Sequence, residues 1–240
     1  MKAERISDWI DDLQRKGHYG FALGEVSLSG DVSKDAKQKG LARLQKRGHI
    51  RRVSKEFYVI LPVEYSKIGI IPVDWFLEDL MRQLNHPYYI GLLTAAGLYG
   101  AAHQQTQEYQ VVIDAYEPAI RLPSLTIRFF HKSNLTATAQ KEIKGHSGMI
   151  SVSTPEATAF DLVRYANRVG GLNAVFTVLE ELCEAMTVEG LMHSARSEGS
   201  FAAAQRLGWL FDDLGQIDLA DALYAEFMQK TKNPSRALLD

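Results

Sequence analysis

Residues 33–55 carry nine basic side chains, Lys34, Lys37, Lys39, Arg43, Lys46, Arg47, Arg51, Arg52 and Lys55, against one acid, Asp35. That is a local charge of +8 in a protein whose formal net charge is −2. Cations at this density are the electrostatic footprint of a phosphate-binding surface. The residue types divide the work. Gln38 can pair bidentately with adenine and Arg43 with guanine, whereas Lys34, Lys39, Arg51, Arg52 and Lys55 suit backbone phosphates. Lys37 lies nearer the core edge of its helix and reaches a phosphate by snorkelling.

The elements that must position these groups are legible around them. Ser33 can cap a helix by accepting from an orphan backbone N–H, and Asp35 in its first turn suits the positive dipole end. Leu41 and Leu44 give the helix 33–47 an inward side, and Gly48 can end it in the left-handed conformation. Two extended runs follow, 49–53 and 56–60, joined by Ser54-Lys55. Upstream, Ile6, Trp9, Ile10 and Leu13 fall at i, i+3, i+4, i+7, which predicts an amphipathic helix over 3–16, ended by Gly17. A short strand over 19–23, a second helix over 23–28 and a turn at Ser29-Gly30-Asp31 complete the order. Helix, strand, helix, turn, helix, hairpin is the order of a winged helix-turn-helix, here residues 1–66. Its last helix is expected in the major groove of double-stranded DNA, over a short inverted repeat. Arg51, Arg52 and Lys55 are then expected on the flanking backbone or minor groove.

Elsewhere the sequence offers little catalytic chemistry. The histidines His18, His49, His86, His103, His131, His146 and His193 show no zinc-ligand spacing, and Cys183 has no second cysteine to help. Gly145-His146-Ser147-Gly148 approaches a nucleophile elbow but lacks its second glycine at the required place, so a loop is expected. Asp114 with Glu142-Ile143-Lys144 could mimic a metal-dependent nuclease core, although acid-x-Lys triplets are frequent by chance. Asp212-Asp213 suggests a nucleotidyltransferase pair, yet adjacent aspartates on one helix point to different faces. No glycine-rich phosphate loop is present. No catalytic residue, cofactor or metal is expected.

Residues 67–240 form a second part. An apolar fraction of 46% with 23% charged residues suits a chain that buries a core. Residues 1–66 hold 13 basic and 9 acidic groups and the remainder 14 and 20, so the two parts are expected to meet different partners. Pro62 and Pro72 bracket a hinge. Helices are expected over 73–84 and from Pro87 through YYIGLLTAAGLYG, with strands over 109–114, 125–131 and 149–153. Thr154-Pro155-Glu156 is a helix start, with a capping hydroxyl, proline at the first position and then an acid. Helices over 172–185, 188–197, 200–214 and 218–229 follow. The expected class is α+β (mixed α/β), a winged helix-turn-helix followed by a larger α/β domain with a helical C-terminal part. The start MKAERISDWIDD lacks the apolar core of a secretion signal, and no stretch reads as a membrane span. With a single cysteine, a reducing cytoplasm is expected.

YYIGLLTAAGLYGAA, QEYQVVID, ISVSTPEATAFDLVRYANRVGGLNAV and AAAQRLGWLFDDLG, in that order, resemble the AbiEi family of antitoxins. The run Ser153-Thr154-Pro155-Glu156 with Asp161-Leu162, then Arg206-Leu207-Gly208, carries the likeness. The resemblance implies an N-terminal domain that binds DNA and represses its own operon. It also implies a C-terminal domain that counters a nucleotidyltransferase toxin encoded alongside, in a type IV toxin–antitoxin system. Locally, the same motifs read as a strand-to-helix junction and as helix packing. Two alternatives of other classes stay open: a metal-dependent nuclease or nucleotidyltransferase delivered by a winged helix, and a regulator sensing a ligand through the apolar residues 88–99.

Overall fold

The structure, a computed structural model, describes residues 5–30, 32–101 and 108–230, with side chains to 227; Asp31 and His103 lie outside them. It divides into two units, Met1–Pro87 with Glu117–Arg128 and Ile143–Ile150, and Tyr88–Tyr116 with Phe129–Glu142 and Ser151–Asp240.

In the first unit the amphipathic pattern makes α1 (Ile6–Arg15), with Ile10 buried and Ile6, Trp9 and Leu13 packed at the core edge. β1 (Gly20–Ala22) follows, then a single 3-10 turn, Leu23–Glu25, where a helix over 23–28 was expected. Glu25 Oε2 accepts the Ala22 N–H at 2.6 Å, and Val26 leaves the helical region at ψ 106 to enter the core, 1% exposed. A segment this short gains too few hydrogen bonds to offset nucleation, so tertiary burial of Val26 decides its path. α2 (Lys34–Lys46) is capped by Ser33 as expected, and its inward side is Leu41 with the half-buried Leu44. The helix ends in a Schellman arrangement: the His49 N–H donates to Leu44 O at 3.1 Å, with Gly48 at φ 76. β2 (Ile50–Arg52) and β3 (Phe57–Ile60) form the hairpin, in an antiparallel sheet of order β1-β3-β2. The turn Val73–Trp75 leads into α3 (Leu77–Leu84). Gly20 is required where α3 meets β1, because a Cβ there would stand 2.6 Å from Phe57 Cζ and 3.0 Å from Asp79 Cβ.

The helix expected from Pro87 begins only at α4 (Leu92–Leu98), because Tyr88–Ile90 is a strand, β4. β4 pairs antiparallel with β5 (Glu108–Ile113) and parallel with β9 (Met149–Ser153). Tyr-Tyr-Ile suits either state locally, and the two neighbouring strands settle it. At the junction, Leu92 sits in the left-handed region at φ 55, a strain of ~1–3 kcal/mol for a bulky residue. Buried Gln110 secures it: its Oε1 accepts the Leu93 N–H at 2.8 Å, and its own N–H donates to Thr94 Oγ1 at 2.9 Å. With β6 (Ile120–Arg121), β7 (Thr126–His131) and β8 (Gln140–Lys144), the sheet takes the order β6-β7-β5-β4-β9-β8. β6 and β8, absent from the sequence reading, are its two edges. Edge strands are short and charged, and QKEIK carries no apolar alternation.

Thr154 caps α5 (Pro155–Arg164) as expected, its side chain accepting the Ala157 N–H at 3.3 Å. Every residue from 155 to 163 is buried, so α5 is the axis of a helical cluster. Around it lie α6 (Leu172–Leu182), α7 (Val188–Glu198) and α8 (Phe201–Asp213), with α9 (Ile217–Lys230) packed on α7 and α8. The core joins Phe160, Leu162, Leu179, Leu191, Leu207 and Phe211. The chain is thus mixed α+β, the expected class. Among the described residues no helix is long and apolar enough to cross a membrane.

Candidate nucleic-acid interface

With Leu41 and Leu44 facing the core, the helical period turns Gln38, Lys39, Arg43 and Lys46 to solvent, and all four are exposed. Ser33 Oγ accepts the Ala36 N–H at 3.3 Å, fixing the start of α2. Lys39 pairs with Asp35 at 2.8 Å one turn back, an exposed i,i+4 contact of small energy. The Arg43 Nε reaches the Lys39 carbonyl at 3.4 Å, leaving the rest of the guanidinium outward.

Other predicted cations have structural employment. Lys37 Nζ donates to the Val26 carbonyl at 2.6 Å, tying α2 to the chain after the 3-10 turn. Arg52 braces the hairpin tip, donating from Nε to Ser54 O at 3.0 Å and from a terminal nitrogen to Lys55 O at 2.5 Å. Arg51 folds against the backbone at Gly69, where an added Cβ would lie 2.6 Å from its guanidinium. Lys55 stands exposed at the tip. Lys34, at the first position of α2, meets Glu56 of the hairpin, Nζ to Oε1 2.7 Å. The Lys34 hydrogen bond and charge hold the Glu56 carboxyl below its usual range, with weaker help from Lys55 and Arg52. Glu56 is the functional candidate that the charge count passes over.

The second unit holds a different constellation, paired throughout and buried except for Arg164, which stands at its exposed edge. Lys132 Nζ contacts Asp161 Oδ1 at 2.7 Å and Glu198 Oε1 at 2.5 Å, and Arg164 contacts Glu198 Oε2 at 2.7 Å. The Tyr89 hydroxyl donates to Asp161 Oδ2 at 2.6 Å, and Thr138 Oγ1 donates to Glu198 at 3.3 Å. Two cations face two carboxylates, so the cluster is neutral. Burial pushes the Asp161 carboxyl upward, against the opposing pull of Lys132. Burial and the Asp161 charge push the Tyr89 phenol well up. Such a network specifies one arrangement of the core. Nearby, the carboxylate of buried Glu156 accepts the Thr187 N–H at 2.9 Å at the start of α7. Of these residues Tyr89, Glu156, Asp161 and Arg164 lie in segments the sequence singled out, whereas Lys132, Thr138, Thr187 and Glu198 do not. Partners 29 to 72 positions apart leave no local signal.

The expected loop 145–148 is the turn joining β8 to β9: the Gly145 N–H donates to Gly148 O at 2.7 Å, and the His146 ring stacks on Trp75 at 3.7 Å. Asp114, Glu142 and Lys144 are exposed, as are Asp212 and Asp213 at the end of α8. Among the described residues no group of three or more His, Cys, Asp or Glu is placed to hold a metal ion.

Fold and charge together define a mixed α+β protein with a basic helix and hairpin ahead of a helix-rich domain. The crystal structure of RV2827C protein from Mycobacterium tuberculosis shares this fold, with a TM-score of 0.63 at 16% identity over 94% of this chain and 84% of that one. An antigenic nucleotidyltransferase-like protein from Paracoccidioides brasiliensis matches with a TM-score of 0.38 and 14% identity, over 62% of this chain and 89% of that one, too low to bear on the fold. No curated protein matches. Residues 89–213 match the AbiEi antitoxin C-terminal domain, and the chain belongs to that family of antitoxins. The whole Lys132–Asp161–Glu198 network lies inside the matched region.

Proposed function

We propose that this antitoxin is a DNA-binding autorepressor. In this reading residues 1–66 are a winged helix-turn-helix, and residues 67–240 counter a nucleotidyltransferase toxin encoded beside it, in the manner of a type IV system in the cytoplasm. The observation that carries the DNA reading is the outward row Gln38, Lys39, Arg43 and Lys46 on a helix capped by Ser33, beside a hairpin that Arg52 braces. Gln38 and Arg43 then read base edges in the major groove, and Lys34, Lys39, Lys46 and Lys55 contact phosphates. Ser33, Lys37, Arg51 and Arg52 hold the shape of that surface. Membership of the AbiEi family supports the antitoxin half.

A fluorescence-anisotropy titration against the gene's upstream region tests the first half. Preference for that duplex over a scrambled one at physiological salt is expected, and equal affinity would defeat it. Co-expression with the neighbouring nucleotidyltransferase gene tests the second: growth is restored by the full chain, and continued toxicity counts against the reading.

A further inference from the structure

Glu56 is the one carboxylate that the hairpin contributes to the cationic surface, and it is set against Lys34, Lys55 and Arg52. Its contact with Lys34 joins hairpin to helix across 22 positions, unlike the local Asp35–Lys39 pair. Lys34 occupies the first turn of α2, where the helix dipole disfavours a cation. A lysine there needs an anion beside it, and in the unbound protein Glu56 supplies one. A DNA phosphate offers the same charge and the same acceptor oxygens. The Lys34 side chain is 67% exposed and that of Glu56 41%, so the pair is within reach of solvent and weak enough for a phosphate to compete with it.

Resting on the DNA reading above, we propose that the Glu56 carboxylate stands in for a backbone phosphate, neutralising Lys34 in the free protein and lowering affinity for every duplex alike. Lys34 is then a masked phosphate contact. The effective number of phosphates neutralised is one fewer than the cations suggest, and operator preference is unaffected because the carboxylate carries no base information.

The full-length protein is titrated with the upstream duplex and a scrambled duplex of equal length between 50 and 200 mM salt. Glu56→Gln is expected to bind both more tightly at 50 mM and to steepen the salt slope by about 0.9, which widens the affinity change over that range roughly threefold. Lys34→Gln is expected to flatten the slope fully in the Glu56→Gln background and only slightly in wild type. An unchanged slope or weaker binding by folded Glu56→Gln overturns the proposal. So does a full loss of about 0.9 in slope from Lys34→Gln alone, whatever becomes of the other variant. Wild-type protein that binds neither duplex overturns the DNA reading itself, an outcome distinct from the other two.

Discussion

Lys132 Nζ stands 2.7 Å from Asp161 Oδ1, with both side chains wholly shielded from water. The two residues lie 29 positions apart, one just after β7 and the other within α5. Desolvating an ammonium and a carboxylate costs several kcal/mol each, and only close pairing offsets it. Glu198, Arg164 and the Tyr89 hydroxyl complete the pairing, so no charge in the cluster is left alone.

Removing the ammonium is therefore expected to be severe. Lys132→Met leaves Asp161 and Glu198 facing each other in the core and should cost ~3–5 kcal/mol, read from the urea midpoint at constant m. Tyr89→Phe, which deletes one donor to Asp161, should cost ~1–3 kcal/mol. A loss within error for Lys132→Met would mean that the cluster is open to water.

Asp74 predicts a pH dependence of stability. Burial raises its carboxyl above the ordinary 3.8, against the weaker influence of its own N–H and His146. The folded state thus holds this proton to higher pH than the unfolded chain, so stability falls as pH rises from 3.8 to the raised value and is level beyond. Asp74→Asn is expected to be more stable than wild type at pH 7 and to lose that advantage at pH 3.8 and below. Urea denaturation across that interval checks it, and a constant difference between the two proteins contradicts it.

At the outward row of α2 two kinds of loss are expected. Lys46→Gln should weaken upstream and scrambled duplexes alike and reduce the salt slope by about 0.9. Arg43→Ala should cost ~1–3 kcal/mol at a single base position, located by substituting base pairs one at a time. If Arg43→Ala weakened every sequence equally, its role would be phosphate contact.

Gly69 combines a φ of 75 with the Arg51 guanidinium packed over it. Gly69→Ala must adopt a disfavoured conformation and displace that side chain, with an expected loss of about 1 kcal/mol or more in chemical denaturation. Arg51→Ala is expected to lower stability while changing the salt slope less than Lys46→Gln does. A full unit of slope lost at Arg51 would show that its guanidinium swings out to the duplex.

The features legible in the sequence are those made by neighbours along the chain. Ser33 and Thr154 as caps, Gly48 as a helix stop and the apolar spacing of α1 and α6–α9 all rest on contacts within about four residues, where residue type alone fixes the outcome. The charge of 33–55 is likewise a property of composition. Tertiary structure decided what depends on the path of the chain through space. It made Tyr88–Ile90 a strand, because β5 and β9 flank it, and reduced 23–28 to one turn, because Val26 is needed in the core. It turned Arg51 inward onto Gly69 and set Glu56 against Lys34. Lys132, Asp161 and Glu198 show the same division: a lysine, an aspartate and a glutamate look like surface residues in any local window. Only a fold that brings the end of β7, the middle of α5 and the end of α7 to one point makes their burial possible, because each charge needs the others to leave water.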